Sequence, residues 1–388
     1  MTAHRTHAAG LVVATALGMA PLAAAPLGRL GSPFALLVVL PALALALDAY
    51  GWSQAAGAVI RRVPEPMARL LAAYAVWLAT SALLTLDVAA AAGATVAAEV
   101  AGPDRPAQRW HLGAAMLGAN VGSLLFPFSN LTNLVVVGAA GIGLTAYVAA
   151  AWLPQVGAAA ACGLLLAWRA RRSGVLATVG VQPDAIDEPS ARPAAPSGPS
   201  AWVGLIALAG GSGAVVAGIA GADMAIPFAL ATAVVVGAGV ADGRLTPSAV
   251  ACAVPIGALA LVAAAAVLNG PLAGAAVALP RPPDDPLGVV VALIVGGLLA
   301  ASVNNLPAAA VGAIWLAGSP VSIVVAYLVG TNVAAIATPH GSAATMLVRS
   351  IATRREVPLP AIGHLRTAWR YALTGSVAAG GLLAAGIR

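Results

Sequence analysis

Long apolar stretches recur from Leu11 to Ile387 and constrain this chain more than any other feature. A helix needs roughly 20 apolar residues to cross a bilayer, and segments of that length return many times. Charged residues make up 8% of the chain and hydrophobic residues 61%, which is too little charge to cover a surface that faces water. The stretches are apolar on all sides and do not alternate as the strands of a β-barrel would. The sequence therefore predicts an all-α polytopic membrane protein.

A linker divides the chain into two apolar halves. The segment from Arg169 to Ser200 begins with three arginines and continues with Pro, Ala, Ser and acidic residues. Such a composition cannot bury a core. We therefore predict an N-terminal transmembrane repeat over 1–168, a cytoplasmic linker over 169–200 and a C-terminal transmembrane repeat over 201–388.

Motifs of the first half return in the second half in the same order. The stretch Leu84 to Gly93 resembles Ala301 to Gly312. Four further residues recur at one constant separation of 212 positions: Gly118, Asn120, Val121 and Pro127 correspond to Gly330, Asn332, Val333 and Pro339. Transporters are often built of two such repeats in inverted orientation, with interrupted helices at corresponding positions.

On that basis we predict about nine full spans plus two re-entrant hairpins and two broken helices. The hairpins run over 67–99, with a tip at Thr85-Leu86-Asp87, and over 287–317, with a tip at Asn304-Asn305. The broken helices cover 111–150 and 320–348. The other spans are predicted near 11–27, 34–60, 152–168, 202–220, 224–241, 249–270 and 371–387.

The arginines support this layout. With the N-terminus in the cytoplasm, every one of the 19 basic residues faces the cytoplasm except Arg29, Arg281 and Arg388. Cytoplasmic loops retain Lys and Arg, so this bias agrees with a multi-pass protein of the cytoplasmic membrane. The Arg281 to Pro286 loop is predicted to face outside. The positive net charge thus reports topology, and we predict no nucleic-acid partner.

Three polar interruptions in the apolar runs are candidate sites: Asn304 to Pro307, Phe126 to Asn133, and Ala337 to Ser342. Backbone groups freed there need a cavity lined by protein or water. The alternative is packing between helices, which we favour for any single Ser or Thr. The predicted substrate- or ion-binding residues are Asp87, Asn120, Ser129, Asn130, Thr132, Asn133, Asn304, Asn305, Asn332, Thr338, Gly341 and Ser342.

Asp87 and Asp48 are the two carboxylates inside apolar runs. An ionisable residue within the membrane is a functional candidate by default. We favour function for Asp87, with a helix-capping Asp as the alternative, and give Asp48 equal odds as an interfacial residue. Phosphate loops, paired CxxC motifs and HExxH motifs are missing from the sequence, so we predict no cofactor, no metal site and no ATP hydrolysis by this chain.

At these residues the chain resembles the arsenite efflux permeases of ArsB type, within the ion transporter superfamily. Ser302 to Ala308 resembles the family's second hairpin tip, and Gly330 to Thr345 resembles its Gly-x-Asn-Leu…Thr-x-x-Gly-Ser-Leu-Ala-Thr loop. Phe128 to Asn133 and Leu47 to Gly51 resemble two further family stretches. The first tip departs from the family, because Leu86-Asp87-Val88 stands where Asn-Asp-Gly is usual, and Ala334-Ala335 replaces a Gly-Pro.

The resemblance implies a secondary transporter that exports arsenite or antimonite in exchange for protons. Within transport, a dicarboxylate or other anion permease and a sodium/proton antiporter remain alternatives. An intramembrane enzyme or an assembly subunit is the alternative of another class. The implied partners are a small-molecule or ion substrate and membrane lipid, and a separate ATPase subunit and a homodimer stay open.

Overall fold

The computed structural model describes residues 31–177, 201–253 and 280–386. Fifteen α-helices and no strand occur in these ranges. The predicted span 11–27, most of the linker, and the predicted span 249–270 beyond Ala253 lie outside the described residues. The prediction of an all-helical protein is confirmed for the described part of the chain.

The first half contains two separate helices, then a hairpin, a broken helix and one long helix. Glu65 caps the hairpin's first arm by accepting hydrogen bonds from the backbone N–H groups of Met67 and Ala68, and Pro66 occupies the first helical position. The helices are α1 Gly31–Ala49, α2 Trp52–Arg61, α3 Pro66–Leu83, α4 Leu86–Ala101, α5 Arg105–Gly122, α6 Leu131–Ala140 and α7 Leu144–Ser173. A 3-10 turn at Pro127–Ser129 lies between α5 and α6.

The second half repeats this order of hairpin, broken helix and long helix. Asp285 caps its hairpin, accepting from the N–H of Gly288 with Pro286 at the first helical position. The helices are α8 Ala201–Ile219, α9 Ala225–Ala241, α10 Pro247–Ala253, α11 Pro286–Val303, α12 Asn305–Trp315, α13 Val321–Asn332, α14 Ala343–Arg354 and α15 Ala361–Gly386. A 3-10 turn at Ala334–Ala337 separates α13 from α14.

Three predicted boundaries in the first half are wrong. The predicted span 34–60 is two helices, because Gly51 takes a left-handed φ of 81° and turns the chain between α1 and α2. The predicted broken helix 111–150 ends at Ala140, where Gly141 has a φ of 69°. The following helix therefore begins at Leu144 rather than 152 and accommodates Pro154 in its interior.

Two further boundaries need correction. The predicted linker began at Arg169, but α7 continues to Ser173, and Gly174 ends it with a φ of 67°. Arg171 and Arg172 lie in that last turn, where cations stabilise the carbonyl end of a helix. The last predicted span, 371–387, is the second part of α15, which already begins at Ala361. The first hairpin turns at Leu84-Thr85, so Asp87 lies in the first turn of α4.

Four described helices are long and apolar enough to cross a bilayer: Pro66–Leu83, Leu144–Ser173, Trp202–Ile219 and Pro286–Val303. Several helices expose large apolar side chains, among them Leu164 on α7, Leu205 on α8, Leu230 on α9 and Leu298 on α11. Water-facing surfaces rarely carry so many. These helices are suited to lie against lipid.

Matched packing contacts relate the two hairpins to the two broken helices. A Cβ added at Gly118 would lie 2.9 Å from the Tyr74 carbonyl oxygen and 3.0 Å from the Leu78 nitrogen. A Cβ added at Gly330 would meet the Leu293 carbonyl oxygen and the Gly297 nitrogen. Tyr74 and Leu293 are 219 positions apart, as are Leu78 and Gly297. The same separation relates the two helix caps, Thr85 and Asn304. The same close approach of hairpin and broken helix therefore occurs in both halves.

The buried side chains form two main apolar clusters. The larger cluster joins both hairpins, both broken helices, α7 and α15. The smaller one is built mainly from α1, α8 and α9, and it includes Leu84 and Val88 of the first hairpin and Phe128 of the first break. The second arm of each hairpin packs on the helix that follows the break in the other half: α4 packs on α14, and α12 packs on α6. The two hairpin tips consequently approach the same central region.

Candidate functional site

A cavity of about 490 Å³ lies where the hairpin tips and the helix breaks meet. Among the described residues, its wall consists of the first tip, the first break, the second tip, the start of α14, the end of α10 and one face of α1. Most lining side chains are apolar, such as Leu40, Pro41 and Leu347. The polar lining residues among the described part of the chain are Thr85, Asp87, Ser129, Asn130 and Asn305, and none of the lining residues is basic.

The first tip presents a carboxylate that pairs with no described residue. Thr85 is the N-cap of α4, because its hydroxyl accepts from the N–H of Val88 at 3.2 Å. The Asp87 side chain is exposed at the cavity and forms no hydrogen bond or ion pair with a described residue. Its charge is favourably placed in the first turn of a helix. The capping role that was the alternative for Asp87 therefore belongs to Thr85.

The second tip is fixed to the loop that follows α13. Asn304 has a φ of 100°, caps the N–H of Leu306 at 3.1 Å and donates from Nδ2 to the His340 carbonyl at 2.7 Å. The backbone N–H of Asn305 donates to the Gly341 carbonyl at 2.9 Å. The Thr338 hydroxyl donates to the Ala301 carbonyl at 2.9 Å. These bonds fix the position of the tip before any substrate binds.

Asn305 is the free polar group of that tip. Its side chain is 1% exposed, it lines the cavity, and its Oδ1 has no hydrogen-bond partner among the described residues. A buried acceptor without a partner is costly and uncommon in a native interior. The arrangement leaves Asn305 available to accept a hydrogen bond from a bound solute.

A buried network of amide side chains joins the first helix break to α13, the helix that precedes the second break. Asn332 Oδ1 accepts from Asn130 Nδ2 at 2.9 Å and from the Thr132 hydroxyl at 3.0 Å. Asn332 Nδ2 donates to Asn133 Oδ1 at 2.7 Å, and Asn133 Nδ2 donates to the Ser123 carbonyl at 2.6 Å. Every side chain in this network is buried and paired, so its first role is to hold the two halves in register.

The corresponding contact on the other side is incomplete. Asn120 Nδ2 donates to the Met116 carbonyl at 2.8 Å and approaches the Thr345 hydroxyl at 3.5 Å, but Asn120 Oδ1 is buried without a partner among the described residues. Ser342 caps the N–H of Thr345 at 3.0 Å and donates to the Thr345 hydroxyl at 2.9 Å. At the separation of 212 positions, Thr132 of the first half corresponds to Ala344 of the second. Ala344 has no hydroxyl, so Asn120 lacks the donor that Thr132 provides to Asn332.

The structure thus sorts the predicted site residues into three groups. Asp87, Ser129, Asn130 and Asn305 line the cavity, although the Ser129 hydroxyl also donates to the Ala82 carbonyl at 2.7 Å. Asn304, Thr338 and Gly341 hold the second tip. The remaining five are buried in the contacts between the halves: Asn120, Thr132, Asn133, Asn332 and Ser342. Asp48 lies apart from the cavity and accepts from the Ser53 hydroxyl at 2.5 Å.

Sequence reasoning missed Thr85 and the α1 wall. Thr85 was placed in the predicted tip but was not chosen as a site residue, although a Thr directly before an apolar helix is a typical N-cap signal. For Leu36, Leu40 and Pro41 the only local signal is a Pro inside an apolar helix. Their position on the cavity depends on how α1 packs, which the sequence does not reveal.

Paired hairpins and broken helices around a central cavity, with an apolar outer surface, define a membrane-transporter fold. No family model matches the chain, and no curated protein matches it. The fold is similar to that of the YdaH transporter from Alcanivorax borkumensis, known from a crystal structure. The TM-score is 0.52 at 15% sequence identity, over 93% of this chain and 87% of that one. At this identity the likeness shows the fold alone, and the resemblance to arsenite permeases stays a prediction.

Proposed function

We propose that this chain is a secondary active transporter of the cytoplasmic membrane that exports arsenite, antimonite or a related small solute in exchange for protons. One observation carries the proposal. Among the described residues, the cavity between the tips combines an Asp87 carboxylate and an Asn305 side-chain carbonyl that have no partner, and its lining has no basic residue. Neutral As(OH)₃ offers hydroxyl donors, which suit such acceptors.

The charge of the cavity bears on the rival substrates. Arg and Lys are favoured side-chain ligands of a carboxylate, and the described lining has neither. One observation does favour an anion: helix N-termini of α4, α6, α12 and α14 all lie at the cavity, and such ends attract negative charge. Thr85, Asn130, Asn304 and Ser342 already cap these ends. Anion transport therefore remains the second candidate.

Asp87 is the proposed coupling residue. A carboxylate between apolar walls needs a proton, a cation or a hydrogen-bond donor to offset its charge, and no described residue supplies one. Binding a proton when the solute leaves, and releasing it on the other side, would couple the two movements. Sodium in place of the proton gives the antiporter alternative.

We further propose that the two halves are inverted repeats. The matched approaches of Gly118 and Gly330 to their hairpins support a common unit. Cys252 is exposed, so Cys252→Ser provides the background for single-cysteine labelling with an impermeant thiol reagent. Arg281→Cys, at the base of the second hairpin, should react from outside in intact cells, and Arg62→Cys, at the base of the first hairpin, only after lysis. Labelling of both positions from the same side would refute the inverted arrangement.

Everted membrane vesicles test the proposed function. Vesicles with the protein, energised to an inside-acid proton gradient, should accumulate arsenite several-fold above vesicles lacking it, and an uncoupler should abolish the difference. Succinate accumulation instead would select the anion permease, and sodium-driven proton movement without metalloid would select the antiporter. Absence of all three would remove these transport proposals and leave an enzyme or assembly subunit.

A further inference from the structure

A second cavity, of about 400 Å³, lies at the end of the bundle where α5 and α15 begin and α7 ends. It is separate from the site between the hairpin tips and shares no lining residue with it. Arg109 and Arg169 line it together with Trp110, His364, Leu359 and Tyr371, and none of its lining residues among those described is acidic.

Arg169 is only partly satisfied by the described residues. Its Nε and Nη1 atoms are buried and have no hydrogen-bond partner in the described ranges. The guanidinium carbon lies 5.8 Å from the centroid of the Tyr371 ring, which partly offsets the charge. The described ion pairs of arginine are Arg61 with Glu99 and Arg105 with Glu356, so neither cavity arginine has an acidic partner among the residues that the structure describes. Buried guanidinium donors without an acceptor are costly, and an anion would satisfy them.

We propose that this cavity binds a phosphate-bearing anion, with Arg169 as the principal ligand and Arg109 as the second. A guanidinium matches a phosphate with two parallel hydrogen bonds, which a point charge cannot reproduce. The apolar part of the wall, from Trp110, Leu117, Leu166 and Leu359, fits the glycerol and first acyl carbons of an anionic phospholipid. Basic pockets between membrane helices bind such headgroups elsewhere. The proposal is independent of the transported substrate.

The chain provides a matched control. Arg172 lies on the same helix one turn later, is exposed, and stacks on the Trp168 ring with its guanidinium carbon 4.8 Å from the centroid. It is not part of the cavity. Arg172→Gln and Arg169→Gln therefore remove the same charge from the same end of the molecule, but only the second removes a proposed ligand.

Native mass spectrometry and thermal unfolding of the purified full chain in neutral detergent test the proposal. Phosphatidylglycerol should bind saturably and raise the melting temperature, and phosphatidylcholine should do so far less. Arg169→Gln should weaken phosphatidylglycerol binding about ten-fold or more, and Arg109→Gln, which is exposed and should fold normally, by a smaller factor. Arg169→Lys keeps the positive charge but lacks the two parallel guanidinium donors. Its affinity for phosphatidylglycerol should therefore lie between those of the wild type and Arg169→Gln.

Inorganic phosphate distinguishes the two sources of the anion. Competition by millimolar phosphate against bound phosphatidylglycerol supports a lipid headgroup in this cavity. If inorganic phosphate binds, its affinity falls in the same order across the Arg169 and Arg109 variants, and no lipid binds, the result supports a soluble phosphate compound. Unchanged binding in both Arg169→Gln and Arg109→Gln would overturn the proposal. Equal weakening by Arg172→Gln would also overturn it, because the attraction would then be a general effect of surface charge.

Discussion

At the tip of the first hairpin a Thr hydroxyl caps α4, and at the tip of the second an Asn amide caps α12. The second tip forms four hydrogen bonds with residues 338–341 of its own half, whereas within the described residues the first tip forms one with its break, from Ser129 to Ala82. The first tip instead packs Leu84 and Val88 into the cluster of α1, α8 and α9. The second tip is thus fixed by polar bonds and the first by apolar packing, which leaves Asp87 without a fixed partner.

The largest expected effect comes from the carboxylate of the first tip. Asp87→Asn keeps the shape of the side chain and removes its charge and its titration, so gradient-driven transport should be lost while substrate exchange is retained. Initial rates in vesicles with and without a proton gradient measure the two activities. Asp284→Asn, at an exposed loop carboxylate, is the control and should behave as the wild type. Full coupled transport by Asp87→Asn would assign coupling to another residue.

The contrast between a complete and an incomplete polar contact can be tested at the broken helices. Asn332→Ala leaves the buried side chains of Asn130, Thr132 and Asn133 without their hydrogen-bond partner. The free energy of unfolding should therefore fall by at least about 2 kcal/mol. Asn120→Ala removes an amide that has one unpaired atom, and the loss should stay below about 1 kcal/mol. Thermal unfolding in detergent compares the two. Equal losses would show that the difference in pairing has no energetic weight.

Within the second tip, neighbouring amides should separate function from stability. Asn305→Ala removes an acceptor that no described residue uses, so stability should be unchanged while apparent substrate affinity falls about ten-fold, the equivalent of one lost hydrogen bond. Transport assays over a range of substrate concentrations and melting curves provide the two readouts. Normal affinity in a folded Asn305→Ala protein would exclude this tip from the site.

The smallest expected difference lies between the caps. Thr85→Ala should cost about 1 kcal/mol, as is usual for a lost helix cap. Asn304→Ala should cost about 1 kcal/mol more, because it also removes the bond to His340 and places Ala at a φ of 100°. Asn304→Gly should recover part of that additional cost, since Gly adopts this φ without strain. A lower melting temperature for Thr85→Ala than for Asn304→Ala would contradict the conclusion that the second tip is held by more hydrogen bonds than the first.

The sequence by itself determined the elements that depend on local chemistry. Apolar segment length predicted the helices, and Pro and amide residues inside those segments predicted the hairpins and breaks, because backbone groups freed in lipid must find partners. The recurrence of Gly118 and Gly330 pointed to the two close helix contacts, since a Cβ at either position would meet backbone atoms. Where left-handed glycines turned the chain, at Gly51 and Gly141, the uniform apolar pattern hid the boundary.

Only the tertiary structure decided which polar groups find partners. Asn332 and Asn120 occupy corresponding positions in the sequence, yet Asn332 is fully paired by Asn130, Thr132 and Asn133. Asn120 approaches Thr345, and its Oδ1 has no partner among the described residues. Asn304 and Asn305 are adjacent, but the side chain of Asn304 holds the loop, while Oδ1 of Asn305 has no partner among the described residues. Arg169 is one arginine among 19, and its shielded position emerges only when α7 packs beside α15. Hydrogen bonding between distant segments depends on the relative placement of helices, and local sequence carries no information about that placement.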